Sequence, residues 1–272
     1  MSLRIQNNLE AFNAHRSLTS TSNMQAKSME KLSSGFRINR ASDDAAGLAI
    51  SQKLSAQVSG LDQAQRNAQD AISLVQTGEG AMAEVHSMLQ RVRDLAVQYN
   101  NGTLSSADQS AITDEVGQLQ AEVDRIGNDT KFNGIALLTG ASSITFQVGA
   151  EDGQTITVSG VQLYGTGGSE KIDSAIFSFS GTVSLSSIDA AIENISSARS
   201  AFGSVQNRLE HTINNLGTLQ ENTQAAESRI KDVDMAKEMV NFTKLNILQQ
   251  AGTAMLAQAN QSSQGVLSLL RG

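Results

Sequence analysis

Residues 54–99 read "LSAQVSGLDQAQRNAQDAISLVQTGEGAMAEVHSMLQRVRDLAVQY". Every seventh residue from the start is Leu54, Leu61, Ala68, Val75, Met82, Leu89 and Ala96. Three positions after each stand Gln57, Ala64, Ala71, Gly78, Val85, Val92 and Tyr99. A 3–4 apolar alternation held over this length is the pattern of a coiled-coil seam. At 1.5 Å per residue the helix is ~69 Å long. Ala64, Ala68, Ala71 and Gly78 are small, so a partner helix can approach closely.

One such stripe cannot bury itself. A second run of the same kind starts at Ile188 and continues through Ile195, Phe202, Leu209, Leu216, Thr223 and Ile230. Its companions are Ala191, Ala198, Val205, Thr212, Leu219, Ala226 and Val233. The simplest arrangement pairs the two runs antiparallel, the chain going out along one and returning along the other. The expected fold is therefore mainly α, an elongated antiparallel coiled-coil helical bundle.

A shorter helix and a β section lie between the runs. Ser105 can cap the helix, Asp108 stands in its first turn, and Ile112, Val116, Leu119, Val123 and Ile126 form its stripe. The period then changes to two. Ile144, Phe146 and Val148 alternate with polar residues, "GAEDGQ" turns the chain, and Ile156 and Val158 alternate again. This predicts a β-hairpin at about residues 141–164. The Gly- and Ser-rich "YGTGGSEKIDS" reads as a loop, placed at about residues 165–184.

The two ends of the chain share a character. Ile5, Leu9, Phe12, Leu18, Met29, Leu32 and Phe36 punctuate a largely polar helix near the start. Near the end, Leu245, Leu248, Gly252, Met255, Ala259, Ser262, Val266 and Leu269 recur at 3–4 spacing, with no charged side chain from Leu245 to Leu270. Antiparallel long helices bring these segments to the same end, where they can form a second pair. The expected division is residues 1–44 with 234–272, and residues 45–233. The apolar faces of a terminal pair are too wide for two helices to cover, which points to further copies of the chain.

Composition agrees. Aromatics are 4% of the 272 residues and proline is absent, as suits long unbroken helices rather than an aromatic-centred globule. Cysteine is also absent, which excludes disulfides and thiol chemistry. A net charge of −7, without clustered Lys and Arg, argues against nucleic acid. There is no apolar run of membrane-spanning length and no h-region of a secretory signal.

Chemistry is hard to find. His15, His86 and His211 are far apart and lack metal-ligand spacing, so no cofactor or metal is expected. "GTGGS" at 165–169 is better read as a connection than as a phosphate loop. Asp43 and Asp44, in "RASDDAAG", read as favourable charge in a first helical turn rather than as a catalytic pair. No constellation supports an enzyme.

Four segments carry a resemblance. "LSSGFRINRASDDAAGLAIS" (32–51) resembles the N-terminal signature of bacterial flagellin. "LQRVRDLAVQ" (89–98) is similar to its next helix, "KFNGIALLTG" (131–140) to the segment before its hairpin, and "ILQQAGTAMLAQANQSSQGVLSLLRG" to its C-terminus. The resemblance covers nearly the whole chain, with Gly272 following the usual terminal Arg. It implies a short flagellin without outer domains, polymerised into the extracellular filament for swimming.

By the same resemblance, the paired termini form an inner core that lines the filament channel. Assembly and channel lining would then fall to Ile5, Leu9, Phe12, Leu245, Leu248, Met255, Ala259, Val266 and Leu269. Leu54, Leu61, Val75, Leu89, Ile195, Phe202, Leu209 and Leu216 would hold the long coil together. Implied partners are other copies of the chain, an export chaperone on the C-terminal segment, and filament cap and junction proteins. The resemblance also implies export in unfolded form through the flagellar type III apparatus. The host receptor Toll-like receptor 5 is also implied, through Arg91, Leu95 and Glu115, with Leu95 read as an exposed anchor. The alternatives are a hook–filament junction protein, which shares terminal patterns, and a membrane-inserting translocator, for which the C-terminal amides are too many.

Overall fold

The computed structural model describes residues 8–140, 143–163, 172–180 and 183–271, with side chains up to residue 261. Five helices dominate: α1 Leu9–Ser34, α2 Ala45–Tyr99, α3 Ser106–Asp129, α4 Leu185–Lys231 and α5 Met235–Arg271. Two short antiparallel ladders complete the fold, β1 Lys131–Phe132 with β2 Ile135–Ala136, and β3 Ser143–Gln147 with β4 Thr155–Ser159. The mainly α expectation and the alternating hairpin are both borne out. The chain divides into two compact units, Met1–Ala56 with Asn222–Gly272, and Gln57–Glu221. The division lies inside α2 and α4 rather than at residues 44 and 234.

In the unit of residues 57–221, α2 and α4 run antiparallel along the expected seam. Leu61 and Ala64 cluster with Leu216. Ala68 and Ala71 meet Leu209 together with Val148 and Ile156 of the hairpin. Gly78 faces Phe202, whose Cε2 would lie 2.6 Å from an added Cβ. Val75, Leu89 and Ile195 are fully buried in the main core. Ion pairs from Arg199 to Glu79 (3.5 Å) and from Arg93 to Asp189 (2.6 Å) flank the seam. The small α2 residues therefore decide where a bulky α4 side chain can sit.

Three details differ from the sequence expectation. Leu74 and Leu95, off the seam, are each only 2% exposed. Both belong to a core that Ile112, Val116 and Val123 of α3 share with Leu137, Leu138 and Val158 of the segment after it, so the buried stripe of α2 is wider than one seam. Leu219, expected on the seam, is 43% exposed. The third is the span 165–184. Residues 165–171, including "GTGGS", lie outside the described residues. Beyond them the chain is no simple loop: Ile172, Ile176, Phe177, Phe179 and Val183 are buried, with a 3₁₀ turn at Ser174–Phe177. Asn100 fastens this stretch, donating to the Val183 carbonyl and accepting from its N–H, both at 3.0 Å. Tyr99 and Phe179 pack ring to ring at 5.3 Å.

Local signals explain the element ends. Ser105 and Asp108 form a reciprocal capping box on α3. The hydrogen bonds from Ser105 hold the Asp108 carboxyl below its ordinary pKa. The ladder β1–β2, absent from the sequence expectation, turns at Asn133 (φ 49°) and Gly134 (φ 79°). Positive φ at both central residues is the demand of a tight primed hairpin turn, which Asn-Gly satisfies.

Candidate assembly interface

In the terminal unit α1 and α5 pack antiparallel. Asn8 Nδ2 donates to the Ala259 carbonyl at 2.9 Å, and Leu18 lies against Gly252. Further along, Ser28 Oγ donates to Glu238 Oε1 at 2.5 Å. The descending order of the α5 partners fixes the direction of the pair. Gly252 allows the close approach: an added Cβ would stand 3.1 Å from Leu18 Cδ1.

The signature 32–51 forms the stop of α1 and the start of α2. Gly35 ends α1 in the left-handed region (φ 75°), where a side chain would be strained. The next residues pair with the end of α4. Arg37 N donates to the Lys231 carbonyl at 2.7 Å, Val233 N donates to the Gly35 carbonyl at 3.0 Å, and the Arg37 guanidinium reaches the Ile230 carbonyl. Lys231 Nζ sits 4.5 Å over the Phe36 ring, a cation–π contact. These links keep the last turn of α4 in the terminal unit.

Asp43 and Asp44 differ from the sequence expectation. The helix begins at Ala45, so neither is inside its first turn. Asp43 Oδ2 accepts the backbone N–H groups of Arg40 and Asn39, and the Arg40 bond chiefly lowers its pKa. Asp44 Oδ1 accepts from Gly47 N at 2.8 Å, as a helix cap does. Gly47 is buried, and a Cβ there would stand 2.7 Å from Ile38 Cδ1. The acid pair folds a connection.

What this unit lacks is a core. Among the described residues its buried apolar side chains are Ile38 and Leu245; every other one belongs to residues 57–221. The exposed large apolar side chains are distributed the opposite way. All but Val97, Ile135 and Leu219 are in the terminal unit, including Leu9 (60%), Phe12 (69%), Val240 (71%), Ile247 (60%) and Met255 (64%). Met239, Val240, Thr243, Lys244 and Ile247 line a shallow apolar groove on α5.

Most expected assembly residues on the described side chains lie open: Leu9, Phe12, Leu248 and Met255 are exposed, and Ala259 is half-buried. Leu245 is a correction. It is 5% exposed, so it is packed within the unit rather than offered outward. Ile5 and the side chains of Val266 and Leu269 lie outside the described residues. Val240 and Ile247 fall off the 3–4 row through Leu245, so the spacing that marks Leu248 and Met255 does not mark them. Leu54 is half-buried.

The second expected site is on α2 and α3. Arg91 Nε and Nη2 donate to Glu115 Oε1 at 2.9 and 2.7 Å, and both side chains remain about half exposed. Leu95 corrects the expectation of an exposed anchor. It is 2% exposed, held in the core that α3 closes over α2. Among the described residues no His, Cys, Asp and Glu group could hold a metal. No helix among them is long and apolar enough to cross a membrane.

A helical body with its own core, joined to a helix pair whose apolar faces lie open, defines a class: the helical subunit of a larger assembly. Comparisons with known proteins make the class specific. Residues 5–143 match the bacterial flagellin N-terminal helical region and residues 185–270 its C-terminal helical region. Flagellin of Halalkalibacterium halodurans is 53% identical over 270 residues, covering 98% of this chain and 99% of its own. Flagellin of Bacillus subtilis is 47% identical over 304 residues, covering 99% and 100%. A solved Bacillus cereus flagellin is 33% identical over 56% of this chain and 88% of its own, with a TM-score of 0.47. The chain belongs to the bacterial flagellin family.

Proposed function

We propose that this chain is the structural subunit of a bacterial flagellar filament and that copies join through the open faces of α1 and α5. The observation that carries this reading is the reversed distribution of apolar side chains between the two units. Leaving Phe12, Val240 and Met255 in water is unfavourable by roughly 25 cal/mol for every Å² that a neighbour could cover. The terminal pair is the inner core that lines the channel, and the finished filament lies outside the cell and drives swimming. The chaperone that escorts α5 before export, and the cap and junction proteins, meet the same apolar side chains.

The test is deletion of residues 245–272. The truncated chain should stay monomeric at concentrations where the full chain forms filaments. It should also keep the helical signal and cooperative melting of the long helices. Normal filaments from the truncated chain would overturn the reading.

A second reading concerns Toll-like receptor 5. It is supported by Arg91 and Glu115, 24 positions apart, meeting on one exposed surface. In this reading Leu95 is the buried support that fixes α3 against α2, and the ion pair is the surface the receptor meets on free monomer. A receptor reporter assay with monomeric Arg91→Ala and Glu115→Ala should show weakened signalling. Signalling equal to the unsubstituted chain in both would reject it.

A further inference from the structure

The methionines are distributed as unevenly as the apolar surface. Met24, Met29, Met235, Met239 and Met255 all lie on α1 and α5, each between 47% and 64% exposed. Met82, in the core of residues 57–221, is 0% exposed, and Met88 is half-buried against the same core. Met1 lies outside the described residues. The exposed thioethers stand among the open apolar side chains, and Met239 shares its groove with Val240 and Ile247. With no cysteine in the chain, sulfur chemistry falls to methionine alone.

From this placement we infer that the α1–α5 methionines form a reversible oxidation site, at which peroxides convert thioethers to sulfoxides and so block subunit association. The inference rests on the proposal that these faces join copies of the chain. The sulfur lone pair attacks one peroxide oxygen. The O–O bond breaks as the S–O bond forms, and the departing hydroxide takes the remaining proton to leave as water. Sulfur loses two electrons and the peroxide gains two.

The product is a polar, chiral sulfoxide where the thioether was apolar and flexible. In the free chain the new oxygen is solvated. In an apolar contact between copies it must lose that water without a ready donor, so association is weakened. Reaction requires access. Free chains are therefore the sensitive form, and chains already within a filament, with these faces covered, are protected. Reversal needs both sulfoxide reductases, because each acts on one sulfur epimer.

The experiment treats the full purified chain with hydrogen peroxide, follows each methionine by peptide mass spectrometry, and measures the concentration at which filaments grow. The five α1–α5 methionines should oxidise at least tenfold faster than Met82. The critical concentration should rise at least tenfold and return after treatment with both reductases. Pre-formed filaments should oxidise far more slowly at the same five positions. In a variant carrying Leu at all five, from Met24→Leu to Met255→Leu, peroxide should leave the critical concentration at that variant's own untreated value.

Equal oxidation of Met82, unchanged assembly of the oxidised chain, or full peroxide sensitivity of the Leu variant would each overturn the inference. Failure of the untreated chain to assemble would instead overturn the assembly reading on which it rests.

Discussion

The two units use the same kind of amphipathic helix to opposite ends. In residues 57–221, α2 has α3, α4 and the β3–β4 hairpin against it, and Val75, Met82, Val85, Leu89 and Val92 are completely buried. In the terminal unit, α1 has α5 and little else, and Phe12 and Val240 remain about 70% exposed. Helical periodicity is present in both. The difference lies in how many partners each stripe finds within its own chain. A long amphipathic helix gains its stability from packing more than from propensity, so the partner-poor pair depends on outside surfaces.

Substitutions should separate the two regions. The largest effect is expected on assembly from Val240→Asp. An unpaired carboxylate in a dry contact costs several kcal/mol. The critical concentration should therefore rise by roughly a hundredfold or more, since each 1.4 kcal/mol is tenfold. The monomer should melt as before, because an exposed substitution stays within about 0.5 kcal/mol. Filament growth at the unsubstituted concentration would break the distinction.

Next in size are Leu89→Ala and Leu209→Ala, both at completely buried seam positions. Each should lower the unfolding free energy of the monomer by roughly 2–5 kcal/mol in denaturant titrations. An unchanged midpoint in both would show that the seam is misplaced.

A finer test uses two glycines on α2. Alanine at Gly78 would press on the Phe202 ring, whereas nothing lies within 4 Å of a Cβ at Gly80. Gly80→Ala should raise stability by up to about 1 kcal/mol through helix propensity. Gly78→Ala should lower it, because overpacking of about 1–3 kcal/mol outweighs that gain. Shifts of the same sign in thermal melts would refute the close approach of α4 to α2.

The smallest effect is electrostatic. Hydrogen bonding holds the pKa of Asp108 and of Asp43 below the ordinary carboxylate value. A carboxyl whose folded pKa is depressed stabilises above its unfolded value, about 3.9. That contribution is lost as pH falls through the folded pKa. Acid titration of helicity should show loss below about pH 4, and Asp108→Asn should flatten it. An identical acid limb in the variant would exclude the cap as a contributor.

Much of this was legible in the sequence, and the gaps have physical causes. The seam from Leu61 to Ala96 could be read because two helices meeting along their length impose a 3.5-residue period. Leu74 and Leu95 lie outside it because the docking of α3 and of the segment after it is not written in that period. The adjacent pairs Leu74–Val75 and Leu95–Ala96 were the available hint, since a stripe with two partners must be wider than one seam. Gly and Ser around residues 165–184 suggested a loop, yet the spacing of Ile172, Ile176, Phe177 and Phe179 already carried a buried segment. The β1–β2 turn has its signal in Asn133-Gly134, the tight-turn pair inside "KFNGIALLTG". In the terminal unit an excess of apolar residues was evident, but which ones stay open depends on the rotation of α1 against α5. Leu245 faces inward and Val240 outward for that reason.

Amide hydrogen exchange, compared between monomer and filament residue by residue, tests most directly whether the terminal pair waits for outside partners. In the monomer, α2 from Leu61 to Ala96 should already be protected, while α1 and α5 exchange fast. On assembly the gain in protection should concentrate in α1 and α5, with little change along the α2 seam. Strong protection of α1 and α5 in the monomer, with no gain on assembly, would contradict it.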